Sequence, residues 1–372
     1  MPLKIAHVVS YPYHGGTQEY VAGLAKAQKQ SGHCVSIFAS GNEMTNYHDL
    51  NVTAKKTLLT IFRNPVSLNL PLTVFKAETN YNVLHLHLPF PITADLVVFL
   101  TQLRKKLFAP ALVATYHFDI DLSSGGLRKI AYLYNHTVLD AALSGVEKII
   151  VSSKAFAEQS LFLRKYQEKV AVVPMGIDTS IYTPGFGCLP RIVFVGRIIP
   201  EKGIDYLVRA MEHLNETELV IAGKIVDYKY YSYLVRLSEE LNLKNKIIFM
   251  GYVPQDKLVD LYRSAQAVVL PSTSRLESFG ITLLEALSCG KPIVATNLNP
   301  GAVELIRQSK CGVIVPPCDT VALSNAIQTV QNDTEFGHRA RKYVEDNHDW
   351  KIVANRVVKI YEEILSEKSR YA

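Results

Sequence analysis

The sequence predicts an α/β protein built from two doubly wound parallel sheets. Three observations carry this. Short β-branched apolar runs alternate with longer amphipathic stretches, and the series occurs twice. The runs are apolar at nearly every position rather than every second one, as expected of strands covered by helices on both faces. Residues 184–190, Pro-Gly-Phe-Gly-Cys-Leu-Pro, make a turn-rich break between the two series. A length of 372 residues suits such a pair: one domain over 1–183, a hinge at 184–190, a second domain over 191–350, and a closing helix over about 351–372.

In the first series Lys4–Ser10 reads as a strand and Thr17–Ser31 as a helix. Cys34–Ala39, Val83–His87, Ala111–Tyr116, Lys148–Ser152 and Val170–Val173 read as further strands. The second series restarts with strand Arg191–Val195, helix Ile204–His213 and strand Glu218–Ala222. Helix Asp227–Leu241, strand Lys246–Met250, helix Lys257–Ser264 and strand Ala267–Leu270 follow. Helix Phe279–Ser288, strand Pro292–Ala295 and helix Val321–Gln331 complete it. In such sheets ligands bind beyond the carboxyl ends of the strands, which places the expected site in the cleft between the domains. No G-x-G-x-x-G opens a helix after a strand, and Gly290-Lys291 is followed by Pro292, so dinucleotide and P-loop fingerprints are missing.

The most informative stretch is Arg275-Leu-Glu277-Ser278-Phe279-Gly280-Ile-Thr-Leu-Leu-Glu285. One carboxylate precedes a helix and the other lies in its second turn, eight residues on. Unpaired backbone N–H groups and the positive dipole end at such a start suit a phosphate, and the carboxylates can accept from sugar or ribose hydroxyls. Read alone, the stretch is also a serine-capped helix with two solvated glutamates. Arg197 and Lys202, in Gly196-Arg197-Ile-Ile-Pro-Glu-Lys202-Gly203, stand just past the first strand of the second series. Two cations there suit a diphosphate leaving group, because charge develops on it as the bond to the sugar breaks. After the first strand of the chain, Tyr13-His14-Gly15-Gly16-Thr17 lets backbone approach a phosphate or sugar closely.

Together these motifs resemble glycosyltransferase family 4, whose GT-B fold sets two Rossmann-like domains facing each other. The resemblance covers almost the whole chain. Gly15-Gly16, Thr115-Tyr-His117, Val151-Ser-Ser153 and Val173-Pro-Met-Gly176-Ile-Asp178 are similar to first-domain marks. Gly196-Arg197 with Lys202-Gly203, Gly251-Tyr252-Val253, the pair Glu277 and Glu285, and Cys289-Gly290-Lys-Pro292 are similar to second-domain marks. Trp350 and the helix after it are also similar to the family, in which that helix crosses back to the first domain. Two stretches depart from the pattern: Gly223-Lys224-Ile225-Val226, and Asn299-Pro300-Gly301-Ala302.

The resemblance implies retaining transfer of a hexose from a UDP- or GDP-sugar, by front-face displacement without a metal or cofactor. It implies that Arg197 and Lys202 bind the donor diphosphate, that the Gly16 amide meets the β-phosphate, and that Glu285 holds the ribose. Glu277 would hold the transferred sugar's hydroxyls, with Ser278 and the amides of Phe279 and Gly280 at the helix start. His117 would sit near the sugar's C6 hydroxyl, and Gly251, Tyr252 and Val253 would border the base. The catalytic set is then His117, Arg197, Lys202 and Glu277. Tyr11, His14, Thr17 and Asp119 are expected on the acceptor side from their places after strands. Asp119-Ile-Asp121 is read as a loop rather than a metal motif, and His85 and His87 as packing or cleft lining rather than zinc ligands, since two ligands do not make a site. On the same fold, a nucleotide-sugar epimerase, a phosphorylase or an inactive sugar-nucleotide binder remain alternatives.

Composition bounds the setting. Apolar residues make up 48% and charged residues 20%, ordinary for a globular chain. The net charge of +6 is concentrated: residues 50–110 hold seven basic side chains, Lys55, Lys56, Arg63, Lys76, Arg104, Lys105 and Lys106, against Glu78 and Asp95. Nucleic-acid binding would spread charge over a wider face. Amphipathic stretches around Leu58–Phe62 and Leu100–Phe108 could rest on an anionic membrane or be solvated helix faces. No secretory signal is read at the start, and Val83–Leu103 is too interrupted to span a bilayer. Five cysteines without a C-x-x-C pair fit free thiols in a reducing cytoplasm. The expected partners are a nucleotide sugar and a lipid-linked, glycan or small-molecule acceptor, at the inner face of the membrane.

Overall fold

The computed structural model describes the chain apart from residues 11–15, 42–45, 48–49, 62–63, 104–108, 120–127, 186–187, 275–279, 332–334 and 371–372. It divides into two compact units, Met1–Gly176 with Trp350–Ala372, and Ile177–Asp349. The first contains β1 (Lys4–Val9), β2 (Cys34–Ser40), β3 (Asn46–Tyr47), β4 (Leu50–Lys55), β5 (Leu59–Ile61), β6 (Asn64–Val66), β7 (Val83–Leu88), β8 (Ala111–Tyr116), β9 (Lys148–Val151) and β10 (Val170–Val172). Eight of these form one sheet in the order β10-β9-β8-β7-β1-β2-β4-β3, parallel except for the β3–β4 edge pair. The strand order reverses direction between β1 and β7.

Period-two alternation explains the two faces of this sheet. Leu84, Leu86 and Leu88 of β7 enter an apolar cluster with Val74, Val97 and Val98 from the helices Asn69–Ala77 and Thr93–Leu103. The intervening His85 and His87 therefore face the opposite layer, where the helices Gly16–Gln30 and Trp350–Arg370 pack on each other. The register His7↔His85 and His87↔Thr115 gathers polar side chains from three neighbouring strands there.

The last helix is anchored by Trp350. A Cβ on Gly23 would lie 2.2 Å from its indole, and one on Gly176 would also lie 2.2 Å from it, so two glycine backbones clasp the ring. Tyr20 meets it edge-on at 5.4 Å. Gly23→Ala is expected to destabilise the first unit by about 1–3 kcal/mol, the usual cost of overpacking a close contact, despite alanine's better helix propensity. The chain's single tryptophan is the probe, since its fluorescence reports urea unfolding of this unit. An unchanged midpoint would contradict the clasp.

The second unit contains β11 (Arg191–Val195), β12 (Glu218–Ala222), β13 (Ile247–Gly251), β14 (Ala267–Leu270), β15 (Ile293–Thr296) and β16 (Gly312–Val315), all parallel in the order β13-β12-β11-β14-β15-β16. The reversal lies between β11 and β14, the place where doubly wound sheets open a binding crevice.

Three expectations need correcting. The units part between Gly176 and Ile177, not at 184–190. The stretch between is tied into the second unit: Ile177 N donates to His348 O at 2.8 Å, Arg341 donates to Thr179 O and Tyr182 O, and Leu189 N donates to Ser264 O. Leu59–Ile61 pairs with Asn64–Val66 as a hairpin instead of presenting a helix face; Phe62 of that expected stretch and all of 104–108 lie outside the described residues. β4, β16 and the helices Pro300–Ser309 and Phe336–Asn347 appear where no element is expected. At β16 the signal is weakened by Gly312, which is needed because its Cβ would stand 2.2 Å from Ile293 O.

Candidate active site

In the second unit the loops after β11, β12 and β13 are knitted through glycines. Gly196 N donates to Ala222 O, Gly223 N donates to Gly251 O at 2.7 Å, and Ile198 N donates to Lys224 O. Gly223 has φ +148°, and a Cβ there would lie 1.8 Å from Gly196 O, so only glycine fits. The family-divergent Gly223-Lys224-Ile225-Val226 thus keeps the glycine that closes this corner. The loop carries an exposed Arg197 and a half-buried Lys202, the latter ending the short turn Pro200–Lys202. Gly203, at φ +62°, brings that turn against the segment after β14: its Cβ would meet Pro271 O at 2.2 Å, and Thr273 N donates to Glu201 O. The turn that ends in Lys202 and the segment leading to 275–279 are therefore neighbours at the sheet's switch point, with Arg197 on the same loop after β11. Glu277, Ser278 and Phe279 lie outside the described residues.

Glu285 follows in the helix Ile281–Ser288, which Gly280 opens at φ +78°. Its carboxylate is buried and gripped: Tyr182 Oη donates to Oε1 at 2.9 Å and Tyr262 Oη to Oε2 at 2.6 Å. Burial, then the Glu285 charge, raises both phenols above their ordinary range, so they stay protonated donors. Two bonds from protonated donors fix the plane in which this carboxylate presents its oxygens. Sequence reasoning missed both tyrosines, because one sits in an irregular segment and the other on a helix about twenty residues before Glu285. Gly251 closes β13 at φ +66° with open space where a Cβ would be, followed by an exposed Tyr252 and a half-buried Val253.

In the first unit Gly16 is exposed at the start of the helix Gly16–Gln30, with nothing within 4 Å of a Cβ position, and Thr17 is half-buried behind it. Tyr11 and His14 lie outside the described residues. Asp119 is engaged by Ser160 Oγ at 2.7 Å, and burial raises its carboxyl above the ordinary range. That bond ties it to the start of the turn at 160–163, so its described partner is structural.

His117 follows β8 and is 9% exposed, at the end of a buried row of rings. Its Nε2 lies 3.2 Å from His87 Nδ1, and His87 Nε2 lies 3.0 Å from His7 Nδ1. His7 Nε2 meets Gln28 Oε1 at 2.8 Å, and Gln28 Nε2 donates to Tyr361 Oη at 3.3 Å. His85 joins Tyr361 at 2.5 Å and Thr115 at 2.7 Å. Burial lowers all four imidazoles, His7 to about 4 and His117 to about 3, so the rings are neutral at physiological pH. His7, His85 and His87 place ligand atoms within 4.8 Å of one another, a spacing a metal could use. The donor set does not fit one. Every ring nitrogen of the three is already hydrogen-bonded to a neighbouring side chain, and His85 and His87 are stacked with ring centroids 4.5 Å apart. All five cysteines are free. Among the described residues no helix is long and apolar enough to cross a membrane.

Two doubly wound units of this topology match the GT-B fold, and comparison with known proteins agrees. A family model described as Glycosyltransferase Family 4 matches residues 14–181, and one described as Glycosyl transferases group 1 matches residues 188–347. Between them they leave out only 1–13, 182–187 and 348–372. The O-antigen chain mannosyltransferase C of Escherichia coli is 25% identical over 99% of this chain and 100% of its own length. A phosphatidyl-myo-inositol mannosyltransferase of Mycobacterium tuberculosis is 25% identical over 99% of both. Among solved structures, Anabaena HepE in complex with UDP superposes with a TM-score of 0.77 at 19% identity, over 97% of this chain and 100% of that one. The chain belongs to glycosyltransferase family 4.

Proposed function

We propose that the protein transfers a hexosyl group from a UDP- or GDP-sugar to a hydroxyl of a lipid-linked, polysaccharide or other cell-envelope acceptor, with retention at the anomeric carbon. The observation that carries the reading is the pair Arg197 and Lys202 on the glycine-knitted loop at the β11–β14 switch point. In the reaction the bond from the sugar's C1 to the diphosphate breaks and its electrons leave with the phosphate. The acceptor oxygen bonds to C1 on the same face, and its proton passes to the departing phosphate oxygen. Arg197 and Lys202 meet the charge that develops there. Glu285, held by Tyr182 and Tyr262, accepts from the ribose, and Glu277 accepts from the transferred sugar with Ser278, Phe279 and Gly280 beside it. Gly251, Tyr252 and Val253 border the base. From the first unit come the Gly16 amide to the donor phosphate and His117 to a sugar hydroxyl, with Tyr11, His14 and Thr17 on the acceptor side. No metal or cofactor takes part.

Relatives named O-antigen chain mannosyltransferase C and phosphatidyl-myo-inositol mannosyltransferase support the envelope setting. Exposed Lys56, Leu58 and Leu59 on the basic window support a place at the cytoplasmic face of an anionic membrane. Flotation with anionic liposomes at low salt tests that location, and a protein left wholly in the unbound fraction removes it. For the reaction, melting temperatures with UDP-, GDP- and ADP-sugars identify the donor, because a ligand of the native state stabilises it as ln(1 + [L]/Kd). The product's anomeric configuration is then read by NMR. Stabilisation by none of them, inversion of configuration, or phosphate-dependent cleavage in place of transfer would each overturn the reading.

A further inference from the structure

The row of rings behind His117 has a direction. A neutral imidazole carries one N–H and one lone pair, so each ring transmits polarity from one neighbour to the next. The starting point is Tyr361. Its hydroxyl stands 2.5 Å from His85 Nδ1 and accepts from Gln28 Nε2 at 3.3 Å, so its own proton is left for His85, which accepts. His85 Nε2 then carries the proton and donates to Thr115 Oγ1. The same Gln28 amide turns its N–H₂ toward Tyr361 and its oxygen toward His7. His7 must donate from Nε2 and accept at Nδ1. His87 donates from Nε2 into that lone pair and accepts at Nδ1, and His117 donates from Nε2 in turn.

We infer that Gln28 is a positioning residue which, through His7 and His87, holds His117 with its proton on Nε2 and a lone pair on Nδ1. His117 then meets the transferred sugar only as a hydrogen-bond acceptor, selecting a donor hydroxyl at that position. This rests on the proposed contact between His117 and the sugar. Two further observations agree with it. Gln28, His7 and His85 are fully buried and His87 nearly so, whereas His117 is the one ring of the row that reaches solvent. Among the described residues Nδ1 of His117 has no partner, so the chain's unspent lone pair lies at its exposed end. A buried glutamine inside an alanine-rich helix face and three strand histidines are a costly way to fill a core unless every group is satisfied. Here each is, in one sense of direction.

The test has a spectroscopic arm and a kinetic arm. Histidine labelled with ¹⁵N in the intact protein, with His117 assigned by its loss in His117→Ala, reports which ring nitrogen bears the proton at pH 7.5. The expected result is Nε2–H at His117, and a mixture of tautomers in Gln28→Leu and in the milder Tyr361→Phe. Nδ1–H at His117 in the unmodified protein, or an unaltered tautomer in both variants, overturns the inference. Kinetically, nucleotide release from UDP-glucose or GDP-mannose, whichever raises the melting temperature, is expected to fall about tenfold in Gln28→Leu, the effect of one lost hydrogen bond. In the His117→Ala background the same substitution is expected to cost nothing further. Equal losses in both backgrounds would make Gln28 merely structural. If the tautomer shifts as expected but His117→Ala keeps full turnover, the relay stands and the sugar contact fails.

Discussion

Arg197→Ala or Lys202→Ala is expected to lower kcat by about 10²–10³-fold, equivalent to roughly 3–4 kcal/mol of transition-state stabilisation. The size follows from timing. The diphosphate gains charge as the sugar–oxygen bond breaks, so a cation facing it stabilises the transition state more than the bound donor. Neither side chain belongs to the apolar core, and Arg197 is exposed, so Arg197→Ala should leave stability within about 0.5 kcal/mol of the parent. Steady-state turnover with circular dichroism as the folding control makes the measurement. Undiminished turnover in a folded Arg197→Ala protein would remove the assignment. A fall in Lys202→Ala alone would shift the phosphate role onto Lys202 and the backbone of the Gly196–Gly203 loop.

Acidification from pH 7 to 5.5 is expected to destabilise the first unit, by roughly 2 kcal/mol from His7 and His117 alone after the opposing share of Asp95. His7 and His117 are pushed down to about 4 and about 3 by burial, and His85 and His87 well below their ordinary value for the same reason. In the unfolded chain each ring takes a proton near pH 6.5; in the native core it does so only near its depressed value. The unfolded state therefore binds more protons between those limits. Stability is full above about pH 6.5 and falls as pH drops, by about 1.4 kcal/mol per pH unit for each ring. Asp119, whose carboxyl burial raises, works the other way, and so does Asp95. Burial raises its carboxyl to about 6, so the native state takes up that proton first and returns about 1 kcal/mol over the same range. Urea midpoints followed by Trp350 fluorescence at pH 7 and 5.5 measure the net effect. A midpoint that does not fall would mean the rings already carry charge in the native state.

Much of the architecture was legible in the residues because a parallel strand buried on both faces has to be apolar almost throughout. β1, β8, β11, β12 and β14 stand within one residue of their expected limits. Elements hidden from that pattern have mixed surroundings: the β5–β6 hairpin is largely solvent-facing on its first strand, and β16 is interrupted by glycine. The domain boundary was misplaced because composition marks turns, whereas the boundary depends on where the backbone's hydrogen bonds go. Pro184 to Pro190 looks like a hinge, yet Arg263 holds Thr183 and Ser264 holds Leu189.

The sequence by itself determined the doubly wound sheets, the cationic loop after β11 and the helix bearing Glu285, because strand patterning, glycine at forced turns and charge at strand ends are local properties. Only the tertiary structure decided what surrounds them. Tyr182 and Tyr262 reach Glu285 from separate segments, two glycines 153 positions apart in the chain close on Trp350, and Gln28, His7, His87 and Tyr361 join into a polarised row behind His117. Those arrangements pair residues distant in the chain, and a buried polar group's role is set by its partner across space, which no local pattern records.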